Sequence, residues 1–272
     1  MLEAAEKGTS SIVLTSSSPP PPSMSHRFVK SNDLQSRCKA QRPANYSRNF
    51  STRIVEENER LCLERKLPVL STTLFSIPSS SVTPENHRTT NQGETKTNTI
   101  SPPSLRCDTT NICVADIDTV SAALVLGSNN NTCILNFANA ETPGGYYASN
   151  GKAQEEDLCR LCPQLYTSLR SSSYYPIHPY SCLITSNVQV LRVPGTYDLV
   201  KEMEKEDPES LGTLTVLTAA MPKCNGKRPK GGWLSVHSEW AIDVRKRVRT
   251  VLGAAKCTGK TNLILGAWGC GE

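Results

Sequence analysis

The chain has 272 residues, 37% of them hydrophobic, with a formal charge of +5 and a pI near 8.6. That length supports one well-buried domain plus extensions. The mild basicity suits an anionic ligand, but no Lys/Arg block is long enough for a nucleic-acid arm and no apolar run reaches the roughly 18 residues of a spanning helix, so neither nucleic acid nor membrane is an expected partner.

Residues 1–44 are rich in Ser, carry Pro19-Pro20-Pro21-Pro22 and lack periodicity. They offer too little apolar surface to offset ordering entropy and read as a disordered tail. Residues 45–272 read as one domain. Tyr46, Phe50, Ile54, Leu61 and Arg65 recur at helical spacing, which predicts an amphipathic helix over 46–66 that ends before Pro68. The Ser-, Thr-, Asn- and Pro-rich stretch 76–106 reads as a flexible insertion. Ile112–Ala115 is a predicted strand, and Asp118 or Thr119 can cap a short helix running to Leu126. Cys133–Phe137 is a continuous apolar strand, and a helix starts near Ala153.

Further on, Leu183–Val190 holds a strand, Tyr197–Lys205 a helix and Leu214–Ala219 a strand. Val236, Trp240, Ala241, Val244, Val248, Val251 and Leu252 line one face of a long helix, and Asn262–Trp268 is the last strand. Within that helix, Arg245-Lys246-Arg247 and Arg249 read as a solvated face. Short apolar runs without polar alternation imply strands covered on both sides. Their alternation with helices implies an α/β layer fold with a mixed, mostly parallel central sheet flanked by helices.

Eleven cysteines, an odd number scattered through apolar runs, fit reduced thiols in an intracellular protein, cytoplasmic or nuclear. Cys159-x-x-Cys162 is the one close pair. His178 and Cys182 are conceivable partners for a metal there, but buried packing is the expected role and no metal or other cofactor is expected.

In layered α/β folds ligands bind beyond the carboxyl ends of strands. Asn139, the Gly144-Gly145 turn and Gly269-Cys270-Gly271 all fall just past such ends. Without Cβ atoms, Gly144 and Gly145 let the backbone turn sharply and present N–H groups to an anion. Gly269-Cys270-Gly271 would make a second phosphate-facing loop, or a plain strand-ending turn. Asn139 offers an amide for ribose hydroxyls, or caps its own strand end.

Glu155 and Glu156 are adjacent on the predicted helix and project about 100° apart, so they divide the labour. Near a pocket, each disfavours the other's charge and a protonated acid is favoured. Alone, the pair would simply complement a helix N-terminus.

Asn136-Phe137-Ala138-Asn139-Ala140, Gly144-Gly145-Tyr146, Gln154-Glu155-Glu156, Asp157-Leu158-Cys159-Arg160 and Leu263–Gly271 together resemble the microbial type of poly(ADP-ribose) glycohydrolase, a macrodomain-fold enzyme. The similarity covers roughly 46–272. It implies a three-layer macrodomain-like fold and hydrolysis of ribose–ribose O-glycosidic bonds in poly(ADP-ribose) or on ADP-ribosylated proteins, by a monomer. Glu156 would be the catalytic acid/base, and Glu155 would orient ribose hydroxyls. Asn139 and Gln154 would bind substrate, and Gly144, Gly145, Gly269, Cys270 and Gly271 would cradle the diphosphate.

Two departures stand out. Tyr146 occupies the place of the family's third glycine, where a side chain would narrow the phosphate path or block a positive-φ backbone. The chain also stops at Glu272, where the family continues with an adenine-stacking aromatic and a further helix. The expectation is therefore an incomplete domain with reduced activity and an uncovered last strand. The alternative reading of the same pocket is an ADP-ribose-binding module without turnover.

Overall fold

The computed structural model, which describes residues 10–15, 48–77, 110–126, 129–200, 211–222 and 239–269, is organised around a seven-stranded sheet. In chain order the elements are β1 (Ser10–Thr15), α1 (Arg48–Glu64), β2 (Thr72–Ser76), β3 (Asn111–Asp116), α2 (Thr119–Val125), β4 (Asn129–Phe137), α3 (Gln154–Leu161), α4 (Pro163–Ser171), β5 (Ser181–Gln189), β6 (Thr213–Ala219), α5 (Glu239–Cys257) and β7 (Asn262–Gly266). The sheet order is β2-β5-β6-β4-β7-β1-β3.

The sheet is mixed, as expected, but not mostly parallel. Only β4–β6 and β4–β7 are parallel pairs; the four outer pairings are antiparallel. A continuous apolar run shows that both faces of a strand are covered, and it does not encode the direction of the neighbour.

Successive residues of the central strands are buried on opposite faces of the sheet, which defines three layers. Ile134 of β4 and Val216 of β6 face a core cluster shared with α1 to α4, while Cys133, Leu135 and Leu217 face a second cluster shared with α5. Helix α1 buries Ser51, Ile54, Val55, Asn58 and Leu61, the one-sided spacing its periodicity predicts. Asp118, not Thr119, caps α2, its Oδ1 accepting from the N–H groups of Val120 (3.0 Å) and Ser121 (2.9 Å). At α3 the N-cap position falls on Ala153, where the helix was expected to start.

Four expectations are corrected. Within the stretch read as a structureless tail, Ser10–Thr15 forms a strand between β7 and β3; Ile12-Val13-Leu14 is an apolar β-forming run that composition averaging hides. Tyr197–Val200 is not helical: Tyr197 has φ +61° and Leu199 bridges back to Arg192. On α5 the buried positions are Thr250, Val251, Ala254 and Ala255, whereas Val248 and Leu252 are exposed. At Gly253 a Cβ would lie 2.9 Å from the Phe75 ring of β2, so its absence lets β2 approach the helix backbone. The last strand is not uncovered where it matters, since Leu263 and Ile264 are buried, one in each cluster. The expected insertion at 76–106 falls almost wholly outside the described residues, as do Tyr46, Val236 and residues 201–205.

A buried polar network ties α1 to the rest. Asn58 Nδ2 donates to the Tyr147 hydroxyl (3.1 Å) and to the Arg160 carbonyl (3.0 Å), and Asn58 Oδ1 accepts from Arg192 Nε at 2.7 Å. Arg192 also donates to the Tyr197 carbonyl at 2.7 Å and pairs with Glu57 at 3.1 Å. Removing the central amide strands a buried guanidinium N–H, so Asn58→Ala is expected to cost about 2–4 kcal/mol in urea unfolding. A cost below about 0.5 kcal/mol would show that the network is solvated and not a fold lock.

Candidate active site

The site begins with a clasp between α3 and the end of β4. Gln154 Oε1 accepts from the Phe137 N–H at 2.9 Å, and its Nε2 donates to the Leu135 carbonyl at 2.8 Å and to Thr119 Oγ1 at 3.3 Å. The side chain thus serves as an extra strand partner where β4 runs out. Gln154 is accordingly turned toward the strand, with both ends of its amide engaged by the chain itself. The clasp sets the first turn of α3 against the carboxyl end of the central parallel strand.

Glu155 and Glu156 follow from that placement, at 2% and 4% exposure. Glu155 is held on both oxygens: Oε1 accepts from Asn136 Nδ2 at 3.3 Å and Oε2 from the Asn139 N–H at 2.7 Å. Burial pushes its carboxyl up to about 8, opposed by the hydrogen bonds from Asn139 and Asn136 and reinforced by the neighbouring Glu156. Glu156 is held on one oxygen only. Its Oε1 accepts from the Tyr146 N–H at 2.8 Å, and its buried Oε2 has no hydrogen-bond partner among the described residues.

The glycines explain how two carboxylates fit. Gly144 and Gly145 have φ of +69° and +57°, which favours glycine on backbone grounds alone. A Cβ on Gly145 would sit 2.3 Å from Glu156 Oε1 and 3.1 Å from Glu155 Oε2, and one on Gly144 would sit 2.6 Å from the Tyr166 ring. Gly151 plays the same part from the other side, its would-be Cβ lying 2.7 Å from Glu156 Cγ and Cδ. The loop amides are largely committed inward: Gly145 N–H donates to the Thr142 carbonyl (3.0 Å), Tyr146 N–H goes to Glu156, and the Gly144 N–H helps hold Glu155.

Asn139 shapes this loop. Its Oδ1 accepts from the N–H groups of Glu141 (2.9 Å) and Thr142 (3.1 Å). Tyr146 has φ −98°, so the missing third glycine strains nothing in the backbone, and its side chain is 64% exposed at the loop surface. Gly269 has φ +85° and a would-be Cβ 3.0 Å from Met221. Trp268 Nε1 donates to the Ala219 carbonyl at 3.1 Å, fixing this turn at the end of β6. Cys270 and Gly271 lie outside the described residues.

Asn139, Gly144, Gly145, Glu155 and Glu156 are therefore brought together, and Gln154 is diverted to the strand. Asn136, Gly151, Tyr147 and Arg160 belong to the same assembly and were not singled out as site residues. Asn136 and Arg160 stood within the stretches that carry the family resemblance, whereas Tyr147 and Gly151 carried no signal. Cys159 and Cys162 are fully buried in the core, their thiols pushed up by desolvation, Cys162 to about 12. Among the described residues no group of three His, Cys, Asp or Glu side chains is placed to hold a metal.

The description "Microbial-type PARG, catalytic domain" belongs to a family whose model matches residues 65–190, the stretch that contains the clasp, the glycine turn and both glutamates. The chain resembles that catalytic domain. Its fold is similar to the crystal structure of poly(ADP-ribose) glycohydrolase from Thermomonospora curvata, at 25% identity and a TM-score of 0.53, covering 82% of this chain and 81% of that one. Another structure of the Thermomonospora curvata glycohydrolase, with the inhibitor ADP-HPD, matches at 30% identity, 56% and 57% coverage and a TM-score of 0.42. The Deinococcus radiodurans glycohydrolase with ADP-ribose matches at 27% identity, 57% and 62% coverage and a TM-score of 0.43. No curated protein matches the chain.

Gly145→Ala meets both a positive φ and the Glu156 carboxylate, and is expected to cost about 2–4 kcal/mol by thermal or urea unfolding; a cost under about 0.5 kcal/mol would contradict the packing described. Glu155, ordinarily near 4.5 and raised to about 8 in the fold, keeps its proton in the native state while the unfolded chain loses it. This group therefore costs no stability below about pH 4.5, and its penalty grows to about 4–5 kcal/mol as pH rises to 8. Melting curves at pH 5 and pH 8.5 should show Glu155→Gln gaining on the wild type at the higher pH. A pH-independent difference between them would contradict the assignment.

Proposed function

We propose that the chain is a glycosidase that hydrolyses ribose–ribose O-glycosidic bonds of poly(ADP-ribose) and releases ADP-ribose. The observation that carries this reading is the buried Glu156 carboxylate, pinned through Oε1 and with no hydrogen-bond partner on Oε2 among the described residues. The match to the glycohydrolase catalytic domain over 65–190 supplies the substrate class.

The two carboxylates take different parts. Glu156 Oε2 delivers a proton to the leaving ribose oxygen, and the resulting carboxylate then activates water against an oxocarbenium-like centre. Glu155, pushed up to about 8 by burial and held by Asn136 and Asn139, keeps the pair at a single negative charge once Glu156 has given up its proton, and offers an O–H to a ribose hydroxyl. Two charges side by side in this buried setting repel each other, which favours holding one proton between the two groups. Asn139, whose Oδ1 is spent on the loop, has its Nδ2 to offer a ribose.

Incubating the protein with ADP-ribose polymer tests the reading. Release of free ADP-ribose is expected, with Glu156→Gln lowering kcat by about 10²–10⁴-fold and leaving ADP-ribose binding within a few-fold of wild type. Binding without release by the wild type would assign the chain to the binding-module class instead.

A further inference from the structure

Glu156 is pinned through Oε1 by the Tyr146 N–H, and the wall it rests against has a brace of its own. The wall behind Glu156 is the segment Tyr147–Gly151. Gly151 N–H donates to the Tyr146 carbonyl at 2.7 Å, and the Gly151 Cα faces Glu156 so closely that a methyl group there would lie 2.7 Å from its Cγ and Cδ. Both ends of this segment are tied to one place. At one end the Tyr147 hydroxyl accepts from Asn58 of α1 at 3.1 Å. At the other, the Gly151 carbonyl accepts from Arg160 Nη2, which also donates to Ser51 of α1 at 2.9 Å.

Arg160 is fully buried, with Asp157 Oδ1 3.9 Å from its Nη1. It follows Glu156 by one turn on the same helix, so the two side chains rise from one rigid surface. A guanidinium bound at once to the helix bearing the acid, to the loop facing the acid and to α1 sets the distance between carboxylate and wall. Core filling alone does not call for a buried cation, because a hydrophobic residue of similar volume often serves equally well.

We propose that Arg160 is a positioning residue for Glu156, acting through the Gly151 carbonyl and braced by Ser51. Helix α1, which lies outside the matched stretch 65–190, is thereby part of the catalytic apparatus. The inference rests on the glycosidase reading of Glu156 and adds a holder to it.

The test compares wild type, Arg160→Lys, Ser51→Ala and Gly151→Ala as full chains. Three readouts are needed: kcat and KM on ADP-ribose polymer, Kd for ADP-ribose, and the side-chain carboxyl 13C resonance of Glu156, assigned by its loss in Glu156→Gln. Arg160→Lys is expected to lower kcat by about 10²-fold, the scale of a misplacement near 1 Å, with Kd within about threefold of wild type and the Glu156 resonance displaced. Ser51→Ala should do the same in smaller degree, and it decides the matter if Arg160→Lys does not fold. Gly151→Ala pushes the carboxylate directly and should reproduce the loss of kcat with the arginine intact.

A lowered melting temperature with kcat and the resonance unmoved would overturn the proposal and make Arg160 a fold residue only. If the wild type releases no ADP-ribose, the glycosidase reading fails on its own. The resonance comparison then still decides whether Arg160 holds Glu156.

Discussion

The constraint on which the rest depends is the wedging of one carboxylate between two glycines. Glu156 lies against Gly145 on one side and Gly151 on the other, and neither position leaves room for a methyl group. A buried carboxylate needs either hydrogen bonds to both oxygens or a use for the one left bare. Glu155 satisfies the first condition, and Glu156 keeps one oxygen bare, which the proposed function puts to use. The difference between two adjacent residues of the same type comes from their surroundings. Glu155 turns toward the end of β4 and meets Asn136 and the Asn139 backbone, while Glu156 turns toward the glycine loop and meets one N–H.

The fold serves this arrangement by putting its parallel strands in the middle. Strands β6, β4 and β7 end together, and the loops that follow β4 and β7 emerge at that edge. The Gln154 clasp converts the end of β4 into a seat for α3, so the carboxylates are anchored to a buried central strand of the sheet and not to a loop alone. Polar groups are buried behind them, at Asn58, Arg160 and Arg192, and each is joined to backbone carbonyls or hydroxyls of other elements. Such networks fix geometry more than they add net stability, which suits a place where a displacement of the acid would be felt in the chemistry.

Much of this was legible from residue order. The period of α1, the Asp118 cap, the apolar run of β4 and the start of α3 are local signals, and each is where its local physics puts it. The Asn139, Gly-Gly and Glu-Glu grouping was legible because its members lie within 18 residues of one another. What was not legible depends on distant partners. Strand β1 is three apolar residues in a serine-rich stretch, and its neighbours β3 and β7 are about 100 and 250 positions away. Arg160 and Ser51 are separated by 109 positions, so the arginine reads as the last polar residue of a helix. Gln154 looked like a ligand because sequence gives a side chain's chemistry and not its direction; here it points at strand backbone. The glycines were assigned to phosphate approach, and their tighter duty is to make room for acid side chains.

The central claim is that Glu156 Oε2 is the oxygen reserved for the scissile bond. A crystal structure of the full chain with ADP-ribose measures this directly. The anomeric oxygen of the terminal ribose should lie within about 3 Å of Glu156 Oε2, a hydrogen-bond distance, with Oε1 still on the Tyr146 N–H. A ribose seated elsewhere, with Oε2 satisfied by protein groups and no sugar oxygen within hydrogen-bonding reach, would contradict it.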